Sequence, residues 1–301
     1  MKKTLAMMTA AMMTVGALAG CGSSSSTPAA TTVAATEAAT TAAATVAATD
    51  AATTEAAGDT AATAEGSVKT PSGKFTVGFD QEFPPMGFVG DDGQFTGFDL
   101  DLAKEVASRL GLEFVPQPIN WDAKDMELES GNIDCIWNGF TMQGREDAYT
   151  WVGPYMANNQ VFVVNADSDI ASKADLAGKA VEVQKDSSGL AALQDDAELS
   201  ASFGSMTEVA DYNTALMDLE SGACDAVCMD SIVAGYQIKS SGKDMKILDD
   251  TLSAEEYGIG FKKGEAELAK AVYDTLMEMK DDGTVAKISN DWFGSDVFTL
   301  K

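Results

Sequence analysis

The sequence predicts an α/β protein of two lobes built alike, facing one another across a cleft and joined by two crossing strands. Two observations carry this. The first is an internal echo: Met126-Glu127-Leu128-Glu129-Ser130-Gly131-Asn132-Ile133-Asp134 is answered 91 residues later by Met217-Asp218-Leu219-Glu220-Ser221-Gly222-Ala223-Cys224-Asp225. In each copy a helix stops at a glycine, an aspartate follows three residues on, and an apolar strand leads into polar residues. The first copy delivers Asn138, Gly139 and Thr141, the second Asp230 and Ser231, at strand ends where α/β sheets gather ligand groups. The second observation is the regular exchange of short alternating runs for helix-period runs closed by glycine. Chance likeness between two α/β units is the alternative, and the shared Leu-Glu-Ser-Gly weighs against it.

Residues 1–20 read as a targeting segment. Lys2 and Lys3 precede an apolar run from Leu5 to Ala19 that is too short for a comfortable membrane span. The ending Leu18-Ala19-Gly20-Cys21 resembles a bacterial lipobox, which implies cleavage before Cys21 and a diacylglyceryl thioether on its sulfur, enough for stable attachment. An ordinary secretory signal with an incidental cysteine is the alternative. Residues 21–68 are almost wholly Ser, Thr, Ala and a few acids, unable to bury enough surface to offset ordering entropy. They read as a disordered tether with an r.m.s. reach of roughly 35–40 Å at about 5–6 Å × √n.

The folded part begins near Lys69. Phe75–Phe79 alternates as a strand, and Asp80-Gln81-Glu82-Phe83-Pro84-Pro85 follows as a rigid loop, since paired prolines stop both strand and helix. After the Asp91-Asp92-Gly93 turn, Phe98, Leu102, Ala103, Val106, Ala107 and Leu110 share one face of a helix closed by Gly111. Asp99 and Asp101 lie in its first turn, where negative charge suits the helix dipole, and read as helix-start carboxylates. Leu112–Pro118 is a second strand, and Trp121-Asp122 opens a helix ending at Gly131.

The strand after Asp134 runs into a glycine-containing loop that ends in Arg145. The chain has only two arginines among 20 basic residues. Arg109 falls on an amphipathic helix and reads as surface. Arg145 follows a strand end, where a planar fork able to grip a carboxylate is a reason to prefer it over lysine; a plain surface ion pair is the alternative. Gln160–Val164 reads as the first crossing between lobes and Glu256–Phe261 as the return. In between, strand Ala180–Val183 leads through Gln184-Lys185-Asp186 to Ser187-Ser188 at a helix start, an anion seat of free N–H groups and hydroxyls, or a simple serine N-cap. Helices from Glu265 to Met279 and through Ile288 and Trp292 close the chain. The lobes are then 69–161 plus 256–301, and 162–255.

Composition narrows the function. The formal charge is −27, and removal of Lys2 and Lys3 leaves 18 basic against 47 acidic residues. Such a chain repels nucleic acid and anionic lipid. It has no histidine, which removes Ser-His-Asp and Cys-His catalysis and the commonest metal ligand. Cys224 and Cys228, four apart on a predicted strand, would stand about 13 Å apart, beyond disulfide reach. With Cys135 they are expected as buried free thiols.

In this order, Gly78-Phe79-Asp80 with Phe83-Pro84-Pro85, Gly97 through Ala103, Asp134 through Arg145, Val183–Ser188, Asp225–Asp230 and Gly258-Ile259-Gly260 resemble the bacterial extracellular solute-binding proteins of family 3, which supply polar amino acids to ABC transporters. The resemblance spans about Lys69 to Ser295. It implies a type II periplasmic-binding-protein-like fold, two α/β lobes on a two-strand hinge, with a free amino acid held between them and no cofactor or metal. It further implies that Arg145 with Ser187 and Ser188 grips the α-carboxylate. Asp230, the Asn138–Gly139 backbone and the Thr141 hydroxyl grip the α-ammonium. Phe83 and Trp121 wall the ligand side chain, with Asp80 near its distal end.

Two departures stand out. Thr141 and Arg145 are one residue closer than is usual in the family, and Asp186 stands where glycine is frequent; it is expected to point outward. A polar neutral or basic ligand is favoured, because Asp80 and Glu82 disfavour an acidic one. The expected role is that of a monomeric, extracytoplasmic binding protein, lipid-anchored through Cys21, delivering its ligand to an ABC transporter permease. The alternatives are a same-fold enzyme of dehydratase type using Asp80 and Glu82 as acid and base, and an amino-acid-sensing lipoprotein without transport.

Overall fold

Alternating burial of Phe75, Val77 and Phe79 builds the strand from which the first half of the molecule grows. The computed structural model describes residue 70 and residues 72–301; the expected signal segment, Cys21 anchor and tether lie outside the described residues. In chain order the strands are β1 (Lys74–Phe79), β2 (Glu82–Phe83), β3 (Gly87–Val89), β4 (Phe95–Thr96), β5 (Glu113–Pro118), β6 (Cys135–Thr141), β7 (Thr150–Asn165), β8 (Ala180–Gln184), β9 (Ser205–Val209), β10 (Ala226–Asp230), β11 (Met245–Ile247) and β12 (Ser253–Phe261). The helices are α1 (Phe98–Leu110), α2 (Lys124–Ser130), α3 (Ser188–Asp195), α4 (Ala197–Ser202), α5 (Tyr212–Ser221), α6 (Ser231–Ser241), α7 (Ala266–Asp281) and α8 (Thr284–Phe293). Among the described residues no helix is long and apolar enough to cross a membrane.

One mixed sheet runs β5-β1-β6-β12-β7-β10-β8-β9, with β11 also paired to β7. In the first half β1 pairs parallel with β5 and β6; in the second β8 pairs parallel with β9 and β10. The antiparallel β7 and β12 join them. Residues Thr150–Gln160 of β7 pair with β12, and Gln160–Val163 pair with β10. The crossing expected at Gln160–Val164 is therefore the far end of a 16-residue strand shared by both halves.

The echo is structural as well as textual. Gly131 and Gly222 end α2 and α5 at φ 77 and 78, both in the left-handed region. The next N–H in each case donates to the helix carbonyl five residues back, Asn132 to Glu127 at 3.0 Å and Ala223 to Asp218 at 2.8 Å. The following aspartates then clamp the neighbouring strand. Asp134 accepts the Thr76 N–H at 2.6 Å and Asp225 the Ala180 N–H at 2.8 Å, and each donates its own N–H to the same residue's carbonyl.

Three expectations need correcting. The segment 80–85 is not all loop, because Glu82–Phe83 pairs with Gly87–Phe88 in a small sheet with β4. Trp121 opens a 3-10 turn over Trp121–Ala123, ahead of α2, rather than an α-helix. Cys224 precedes β10 rather than lying on it. Cys135, Cys224 and Cys228 are buried free thiols.

Candidate functional site

The end of β6 is shaped by close packing. Gly139 has φ +56, and a Cβ there would meet the Phe83 ring at 2.9 Å and the Tyr257 ring at 3.1 Å. Its N–H donates to Asp99 Oδ2 at 2.7 Å, and the Tyr155 hydroxyl donates to the same oxygen at 2.8 Å. Asp99 is fully buried at the start of α1, and burial pushes its carboxyl up to about 7 against the opposing pull of these hydrogen bonds. It is thus a helix-start carboxylate, as expected, and also a support beneath the site. Arg145, past the loop, folds its guanidinium back. Nη1 donates to the Thr141 carbonyl at 3.2 Å, Nη2 to the Asp186 carbonyl at 3.3 Å, and the fork stacks 5.1 Å from the Phe140 ring centre. Among the described residues it forms no ion pair.

The opposing wall comes from the turn between β8 and α3. Ser187 caps α3, its Oγ accepting the Leu190 N–H at 3.1 Å. The Ser188 hydroxyl oxygen accepts from Thr141 Oγ1 and Gln160 Nε2, both at 3.1 Å. Asp186 occupies the left-handed region at φ 56, which glycine adopts at no steric cost. Its side chain turns away from the serines and pairs with Lys124. Asp186 is 52% exposed and Lys124 only 2%. Burial lowers the Lys124 ammonium and Asp186 opposes that shift.

Asp230 ends β10, buried. Its Oδ1 accepts from Asn158 Nδ2 and the Tyr257 hydroxyl, both at 2.7 Å, and its Oδ2 from the Tyr212 hydroxyl at 3.0 Å. All three donors are neutral. Burial first, and the nearby Glu255 charge second, push Asp230 up to about 8.

These walls close on a crevice of about 10 Å³, room for about one water molecule, lined by Phe83, Trp121, Gly139, Thr141, Arg145, Gln184, Ser187, Ser188 and Asp230. That is small beside the roughly 300–1,000 Å³ of pockets for drug-sized ligands. Two residues expected here stand back from it. The Asn138 side chain is spent on the Asp80 N–H, which its Oδ1 accepts at 2.9 Å. Asp80 accepts from Glu82 N–H at 2.9 Å and from Gln184 Nε2 at 2.7 Å, so Gln184 takes the crevice position and Asp80 lies behind it. Burial pushes Asp80 up to about 6. Asp80 instead lines an adjoining open groove of about 850 Å³, together with Glu82, Trp121, Asp122, Glu208 and Asp211.

Sequence reasoning missed Asp99, Gln184, Lys124, Asn158 and Glu255. Only Gln184 carried a local signal, as the last residue of a strand entering the serine turn. Chemically, the crevice gathers a guanidinium, the serines of a helix N-terminus and a buried carboxylate. Among the described residues no group of three His, Cys, Asp or Glu side chains is gathered to hold a metal ion.

Comparisons with known proteins show the family and the fold. Residues 75–295 match the family described as bacterial extracellular solute-binding proteins, family 3. The chain is 31% identical to the L-cystine-binding protein TcyJ of Escherichia coli K12 over 75% of this chain and 84% of that protein. It is 32% identical to the L-cystine-binding protein TcyA of Bacillus subtilis 168 over 75% of this chain and 83% of that protein. Among solved structures, an ABC uptake transporter substrate-binding protein from Streptococcus pneumoniae with bound histidine superposes with a TM-score of 0.73 at 34% identity, covering 76% of this chain and 95% of the other. The fold is accordingly the type II periplasmic amino-acid-binding fold, two α/β lobes on a two-strand hinge.

Proposed function

Because the chain belongs to the bacterial extracellular solute-binding proteins of family 3, we propose that it captures a free α-amino acid in the crevice between its lobes, 69–161 plus 256–301 and 162–255, and delivers it to an ABC transporter permease. One observation carries this reading. In a single crevice Arg145 forms no ion pair among the described residues, and Asp230 faces it supplied with neutral donors alone. A zwitterion completes both. Its carboxylate takes the free donors of Arg145 and the N-terminal amides of α3 with Ser187 and Ser188; its ammonium takes Asp230, the Gly139 backbone and Thr141. Phe83 and Trp121 wall the side chain.

The two charged partners come from opposite lobes, so only the closed form satisfies both ends and the ligand shifts the population toward it. The carboxylates Asp80, Glu82, Asp122, Glu208 and Asp211 around the adjoining groove favour a polar neutral or basic side chain over an acidic one. The tether and the lipid on Cys21 would hold the protein, a monomer, at the outer face of the membrane.

Isothermal titration calorimetry of the full chain against the protein amino acids, cystine and ornithine tests this. A micromolar dissociation constant, about −8 kcal/mol, is expected for at least one. Arg145→Ala and Asp230→Ala should each weaken it at least about 100-fold, roughly 3 kcal/mol for a lost charge-assisted contact, with an unchanged circular dichroism spectrum. Affinity retained in either variant would sink the scheme.

A further inference from the structure

Asp230 is not the only carboxylate beneath the crevice. Glu255 lies on β12 directly across from Asn158 of β7 and is 5% exposed. Its Oε1 accepts from Gln160 Nε2 at 2.9 Å and from Asn158 Nδ2 at 2.5 Å, and the same Asn158 nitrogen donates to Asp230 Oδ1 at 2.7 Å. One amide nitrogen therefore joins two buried carboxyls. The amide cannot turn over, because its Oδ1 accepts the Ser231 hydroxyl at 3.0 Å and the Ile232 N–H at 3.3 Å from α6.

The other groups facing the pair are neutral: the Tyr212 hydroxyl from α5, the Tyr257 hydroxyl from β12, the Cys228 thiol from β10 and the Gln160 amide from β7. No lysine or arginine among the described residues pairs with either carboxyl. Two carboxylates this close in a dry setting cannot both ionise without a cation, so one of them keeps a proton. The shift of Asp230 up to about 8, caused by burial and then by Glu255, is the same statement in titration terms.

We propose that Glu255 is a positioning residue for the ammonium seat: beside it, Asp230 keeps a proton in the ligand-free protein, and the ammonium of the arriving amino acid replaces that proton, which leaves to solvent. The exchange balances. Before binding the pair is one carboxylic acid and one carboxylate, net −1; afterwards it is two carboxylates with one ammonium, again net −1. The buried charge never changes, so the second carboxylate is tolerated in both states and gives the ammonium a deeper seat than Asp230 alone. The inference rests on the amino-acid reading above.

Calorimetry of the full chain with L-arginine, L-glutamine or L-cystine, run in phosphate and in Tris, measures protons released per ligand bound. Close to one proton is expected near pH 7, and affinity should rise roughly tenfold per pH unit between about pH 6 and 8. Glu255→Gln keeps the acceptor for Asn158 and Gln160 and removes the second cause that raises Asp230, burial being the first. It should release clearly fewer protons than wild type near pH 7 and show a shallower pH slope. A merely structural Glu255 would leave slope and proton count as in wild type. Heat of binding without proton release, or a Glu255→Gln variant with wild-type release and slope, would overturn the exchange alone. No heat with any of the protein amino acids, cystine or ornithine would overturn the amino-acid reading and the exchange with it.

Discussion

Lys124 and Asp186 form an ion pair across the cleft whose two members are not equivalent. The ammonium is buried, with long contacts to the Trp121 and Asp186 carbonyls at 3.4 Å and the Trp121 ring 5.1 Å away besides the carboxylate, whereas the carboxylate is half in water. Removing the exposed partner strands the buried charge; removing the buried partner strands nothing. Lys124→Met should therefore stay within about 1 kcal/mol of wild type, a surface carboxylate losing little when its partner goes. Asp186→Ala should cost about 1–3 kcal/mol through the unsatisfied ammonium. Asp186→Gly should recover about 1 kcal/mol of that loss, since φ 56 strains any residue with a Cβ. Urea denaturation ranks the three, and equal stability of the alanine and glycine variants would refute the strain argument. Residues of this kind are hard to read from sequence. Asp99 has the same local setting as the neighbouring Asp101, yet Asp99 takes the Gly139 and Tyr155 donors while Asp101 Oδ2 accepts the Trp292 indole N–H at 2.8 Å. Position in a first helical turn fixes neither partner. Arg145, which lines the crevice, carried a signal, because a lone arginine after a strand end contrasts with a lysine-rich chain. Glu255 was not, because its burial comes from a strand partner almost 100 positions away.

The helix–glycine–aspartate element, used twice, makes a prediction of its own. Gly222 sits at φ 78 with nothing within 4 Å of the point where a Cβ would stand, so Gly222→Ala meets no clash and only backbone strain, about 1–2 kcal/mol. Gly235 lies inside α6 at ordinary helical geometry, also in open space. Gly235→Ala should stabilise by roughly 0.5–1 kcal/mol through reduced chain entropy. Opposite signs in thermal unfolding are expected from two identical substitutions, and the same sign in both would discredit the capping account. Elements with a period and a stop signal were legible almost to the residue, as α1 between Gly97 and Gly111 shows. Those without were not. The β2 strand is two residues long, too short for any period, and it forms only because β3 returns past Pro84-Pro85 to pair with it. The β9 strand is an exposed edge whose polar residues give no alternation, so only its parallel pairing with β8 defines it.

At the scale of the whole molecule, burying carboxyls without cations sets the pH at which the fold is most secure. Asp80, Asp99 and Asp230 are held at about 6, 7 and 8, each chiefly by burial, against an ordinary value of 3.8. Between pH 4 and 8 the folded chain thus binds more protons than the unfolded chain. By linkage its stability is full below the unfolded value and falls as pH rises through the folded ones. Asp282 acts in the other direction. The Arg109 guanidinium holds it at about 2, so its contribution is present above about pH 4 and is lost only below that. The two trends place maximal stability on the acidic side, near pH 4–6, rather than in the usual range of about 5–8. Ligand-free protein should show a melting temperature that drops between pH 5 and 8; a loss of about 2 kcal/mol corresponds to roughly 4–8 °C for a chain of this size. Asp99→Asn, which keeps an acceptor for Gly139 and Tyr155, should flatten part of the slope. An added amino acid should flatten it further at high pH, where its ammonium supplies the cation that Asp230 otherwise lacks. A melting temperature that climbs steadily from pH 5 to 8 would mean that these carboxyls are not buried as acids at all.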